Sequence, residues 1–109
     1  MLAQAMKSVV GFTDFYNLSP QQQLILADCL ERGLPQISLP ASNVHADYLC
    51  RIDWLKEEVS VDTSVRMFTI PPARWSTLRH IKDEVLTPLM VSELRLFRNT
   101  LPTNYGRPW

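Results

Sequence analysis

Only three glycines occur in the 109 residues. The tightest two-residue hairpin turns need backbone at positive φ, and phosphate-cradling loops need several glycines together, so neither device is expected. Cysteine is scarcer still. Cys29 and Cys50 show no C-x-x-C spacing, and His45 and His80 do not complete a ligand set with them, which excludes the common zinc modules. Buried, reduced thiols are the expectation. No apolar run approaches the roughly 18 residues that cross a bilayer, and the opening MLAQAMKSVVGF lacks the apolar stretch of a secretory signal. A cytoplasmic setting without a membrane follows as the expectation.

Net charge is also missing, with eleven Lys+Arg against eleven Asp+Glu. The balance is uneven along the chain. Residues 1–63 hold four basic against eight acidic side chains, a net of −4, and residues 64–109 hold seven against three, a net of +4. A dedicated nucleic-acid-binding domain usually carries a clear positive excess. Such polarity serves equally to orient a protein partner or a second copy of the chain.

What is present is the material of one ordinary core: 46% hydrophobic and 20% charged residues, in a length that suits a single domain. Leu2, Met6, Val9 and Val10 recur at helical spacing before Gly11. Ser19, Pro20 and Gln22 form a capping box ahead of Ile25, Leu26, Cys29 and Leu30, and Gly33 ends that helix. LPQISLP allows a short strand around residues 37–39. Val44, Tyr48, Ile52, Leu55 and Val59 predict one continuous helix from about Ser42 to Glu58.

Val59 and Val61 then alternate with Ser60, Asp62-Thr63-Ser64 turns the chain, and Val65 to Ile70 returns. Val65 and Met67 share one face of that strand, Phe68 and Ile70 the other. A fourth helix follows Pro71-Pro72 with Trp75, Leu78, Ile81 and Val85 inward. A fifth, after Thr87-Pro88, turns Met90, Leu94, Phe97 and Leu101 inward. PTNYGRPW closes the chain irregularly.

Helix, short strand, helix, hairpin and helix is an order that resembles a winged-helix domain. The resemblance rests on LSPQQQLILADCLERG, similar to the capped opening helix, and on RIDWLKEEVSVDTSVRMFTIPPARWSTL, similar to the wing and closing helix. It implies an α+β, mostly helical fold with a β-hairpin wing. The domain-like core spans residues 18–82, with an N-terminal helix and connection over 1–17 and a C-terminal helix and tail over 83–109. The sequence departs from the family between residues 39 and 59, where a helix-turn-helix would need two helices and the periodicity favours one.

Two functions from different classes follow. As a DNA-associated regulator, the chain would use Arg51, Lys56, Arg66, Arg74 and Arg79, with Asp62 repelling phosphate at the wing tip. As a protein-interaction module, an adaptor or an inhibitor of the kind a mobile element carries, it would use Trp54, Arg95, Arg98, Tyr105 and Trp109. The last two helices also offer a homodimer surface. Catalysis is not expected: His45 and Asp47 cannot face each other on one helix, and His80 with Glu84 reads as a surface pair. No cofactor or metal is implied.

Overall fold

The computed structural model describes residues 14–61 and 63–101. The expected helix over residues 2–10 and the tail residues Tyr105, Arg107 and Trp109 lie outside the described residues. The fold is α+β, mostly helical, with a small three-stranded antiparallel sheet.

α1 (Pro20–Arg32) is built as its capping box dictates. Ser19 Oγ accepts from the Gln22 N–H, and Gln22 Oε1 accepts from the Ser19 N–H. Seven consecutive residues, Leu24 to Leu30, are buried, so this helix is central to the core rather than laid on one face. Gly33 closes it at φ 74°, with its N–H on the Cys29 and Leu30 carbonyls. A Cβ there would meet no atom within 4 Å. Gly33→Ala should therefore lower stability by about 1–2 kcal/mol, the backbone cost of the left-handed region alone. Chemical denaturation of the variant measures it.

β1 (Gln36–Pro40) pairs with β3 (Val65–Thr69), and β3 pairs on its other side with β2 (Lys56–Glu58). Ile37 and Leu39 of β1, Phe68 of β3 and Ile70 beyond it are buried on the inner face. Val65 and Met67 turn outward, half-buried and exposed, so the expected division of faces along β3 is the one observed. The pairing runs without a bulge from Gln36↔Thr69 to Pro40↔Val65.

The continuous helix over residues 42–58 does not form. α2 (Val44–Arg51), capped by the Asn43 side chain, ends within two turns. Asp53 then adopts φ 65°, a conformation Asp tolerates better than most residues. The Trp54 and Leu55 N–H groups both fold back onto the Leu49 carbonyl. That turn drives Trp54 and Leu55 into the core and frees residues 56–58 to pair with β3. The hairpin is consequently earlier than its apolar alternation suggested. Val59 and Val61, expected as strand residues, stand in the connecting loop and are 94% and 102% exposed.

α3 (Pro72–His80) and α4 (Lys82–Val85) replace the expected fourth helix, divided at Ile81. Leu78, Ile81 and Val85 still face the core, and Trp75 packs partly against it. α5 (Pro88–Arg98), capped by Thr87, buries Leu94 and Phe97, with Met90 and Leu101 partly covered.

Candidate interaction surface

The arginines decide what the surface can hold, and the fold commits three from the +4 half. Arg66, on β3, lies 2.8 Å from Asp47 on α2 and 2.7 Å from Glu57 on β2, and donates to the Ala41 carbonyl as well. Glu57 stands opposite Phe68, so Arg66 is its diagonal cross-strand neighbour. Arg74, on α3, pairs with Asp14 at 3.2 Å, donates to the Ile52 carbonyl, and lies 4.3 Å above the Trp54 ring. Arg98, on α5, reaches Asp28 at 2.6 Å and Glu31 at 2.6 Å on α1. Each of these pairs joins an acid of the −4 half to an arginine of the +4 half. The polarity seen along the chain is largely spent inside the fold.

Asp28 is the centre of the tightest group. It is fully buried and accepts from Arg98 Nε through one oxygen and from Arg32 Nε, at 2.9 Å, through the other. Arg32 also donates to the Gln36 carbonyl at 2.5 Å. Burial disfavours the Arg98 charge, but the hydrogen bonds and charges of Asp28 and Glu31 outweigh it, and its pKa is raised. A carboxylate inside the apolar run ILADCL was the signal for this network, because buried charges require partners.

Glu57 is held below its ordinary value of 4.5, first by the hydrogen bond from Arg66 and then by that guanidinium's charge. Burial opposes this, and so does the charge of Asp47. The sign follows: its contribution to stability is complete above 4.5 and fades as pH falls through the lowered folded value. Glu57→Gln should therefore lower stability most above about pH 5 and match the native chain at lower pH, which flattens the acid side of the stability–pH curve. Urea midpoints measured across that range check it.

Several groups along the two sheet edges are already engaged. On β1 the Gln36 carbonyl is taken by Arg32, Pro40 has no N–H, and its carbonyl accepts from Asn43 at 3.0 Å. On β2 the Glu57 N–H turns to the Cys50 thiol, and the strand itself is charged throughout. Both cysteines are free. Burial pushes the Cys29 thiol up to about 12, and partial burial with the nearby Glu57 charge raises Cys50 too, so neither is primed as a nucleophile.

The eight expected site residues that are described are thus scattered. Arg51 and Lys56 are exposed at the end of α2 and the start of β2, and Arg79 and Arg95 are exposed on α3 and α5. Arg66 reaches the segment leading into α2 and Arg74 the residue that ends it, each with its own carboxylate. Arg98 belongs to the buried network. Trp54, expected as a partner-binding residue, is 1% exposed, lodged between Phe15 and Arg74. It is out of a partner's reach because the turn at Asp53 takes it inward. Tyr105 and Trp109 lie outside the described residues.

His80 and Glu84 form no ion pair, nor do Arg79 and Asp83, and no group of three His, Cys, Asp or Glu side chains suited to a metal occurs among the described residues. No helix among them is long and apolar enough to cross a membrane. No protein-family model, curated protein or solved structure matches this chain.

Proposed function

We propose that this chain is a non-catalytic binding protein that acts by gripping another protein. The observation that carries the reading is the pairing of Arg66 and Arg74, the two cations best placed to hold a phosphate backbone, with Asp47, Glu57 and Asp14. DNA affinity comes mainly from cations exchanging small counterions for phosphates. An arginine already bound to a carboxylate must break that pair first.

The winged-helix-like reading is supported by the order helix, strand, helix, hairpin and helix from α1 to α3. Only the eight-residue α2 stands where a helix-turn-helix and its reading helix would be needed. A winged-helix-like body without a reading helix suits an adaptor or an inhibitor better than a sequence-specific DNA reader. Leu89 and Leu96, exposed one above the other on α5, are further apolar contact area.

Affinity capture from the native host, with and without nuclease, tests the reading. A protein recovered in stoichiometric amount after nuclease treatment supports it. Recovery of DNA, with every co-purifying protein lost to nuclease, overturns it.

A further inference from the structure

Pro72, Trp75, Ser76, Arg79 and His80, all on α3, line a recess of about 440 Å³. Two features coincide in it. Trp75 forms part of its wall while packing partly against the core, so the ring is a firm apolar platform. Arg79 stands one helical turn further on, exposed, and unlike Arg66, Arg74 and Arg98 it makes no ion pair among the described residues.

We propose that this face of α3 docks an acidic segment of a partner protein, with a carboxylate on Arg79 and a neighbouring apolar side chain against Trp75. The inference rests on the protein-binding reading above. Tryptophan and arginine are the residue types that most often anchor protein interfaces. A guanidinium presents a planar pair of donors that matches one carboxylate. His80 and Ser76 add polar groups at the rim.

Charge decides between a carboxylate segment and a nucleic-acid strand. A strand requires several phosphates to be neutralised together, and next to Arg79 and Lys82 the chain supplies Asp83 and Glu84, so the local balance is close to zero. One carboxylate needs only one free guanidinium. Two other recesses lack this combination. The one beneath the 59–64 loop is walled by Glu57, Glu58 and the committed Arg66. The one between α1 and α5, around Leu24 and Leu89, contains Glu93 and no cation.

Selection of a random displayed-peptide library against the full chain tests the proposal, followed by fluorescence-polarisation titration of the enriched peptides. The expected peptides carry Asp or Glu beside an aromatic or large aliphatic residue. Their affinity should fall about tenfold or more with Arg79→Glu and with Trp75→Ala, and less with Arg79→Lys. Circular dichroism establishes that each variant is folded, and if Trp75→Ala is not, the exposed Arg79→Glu carries the test alone. Enriched peptides indifferent to Arg79→Glu but lost in Leu89→Ser with Leu96→Ser overturn the α3 assignment and leave the protein-binding reading standing. No enriched peptide, or binding of an oligothymidylate probe through Trp75 and Arg79 instead, overturns both.

Discussion

Trp54→Ala should lower the unfolding free energy by about 3–5 kcal/mol, the cost of emptying a buried tryptophan site. Domains of this kind are stable by only about 5–15 kcal/mol, so the variant should be largely unfolded or unfold at a far lower urea concentration. The size follows from what the ring holds together. It meets Phe15 edge-on at 6.3 Å between centroids, anchoring the segment before α1. Arg74 lies over it at 4.3 Å while donating to Ile52, which ties α3 to the end of α2. Arg74→Ala alone should cost less, about 0.5–2 kcal/mol, because it removes the cation and leaves the ring packed. A loss below about 1 kcal/mol for Trp54→Ala would instead fit a surface side chain.

Asp28→Ala comes next, at about 3–5 kcal/mol, because it leaves two arginines gathered around a vacated acid. Asp28 has no exposure to solvent, and both of its oxygens are used. Replacing both ends should behave differently. Asp28→Leu combined with Arg98→Met removes the desolvated charges as well as their attraction, and it should recover most of what either change loses alone. A double-mutant cycle in urea measures this. Additive losses would mean that Arg98 and Asp28 do not act as a pair. The same network explains why Arg98 is a poor choice as a partner-binding residue: its guanidinium fixes α5 against α1.

These two residues mark where the sequence was readable and where it was not. α1 was legible because its boundaries are written locally: Ser19, Pro20 and Gln22 at one end, Gly33 at the other, each satisfying backbone groups within a few residues. α5 was legible for the same reason, through Thr87-Pro88 and its apolar stripe. The segment after α2 was not. Tyr48, Ile52, Leu55 and Val59 keep helical spacing although they belong in turn to a helix, a turn, the approach to a strand and a loop. Lys56-Glu57-Glu58 has low strand preference, and it is a strand because β3 offers it a ladder.

The candidate site shows the same division. The −4 and +4 halves are plain in the sequence, but two of the pairs that join them link residues 60 and 70 positions apart, Asp14 to Arg74 and Asp28 to Arg98. No local pattern carries that information. Trp75 and Arg79 were visible as residues. What made them a candidate surface was learning which other arginines the fold had already used.

The most direct test of the account concerns Arg66 and its two carboxylates. Fluorescence anisotropy with a duplex DNA probe, titrated at several salt concentrations, should be compared for the native chain and for Asp47→Asn with Glu57→Gln. The native chain should show no saturable binding below about 10 µM near physiological salt, and freeing Arg66 should create weak, salt-sensitive binding. Native binding that is already tight, falls steeply with salt, is unchanged by freeing Arg66 and is lost in Arg66→Ala with Arg74→Ala would contradict it.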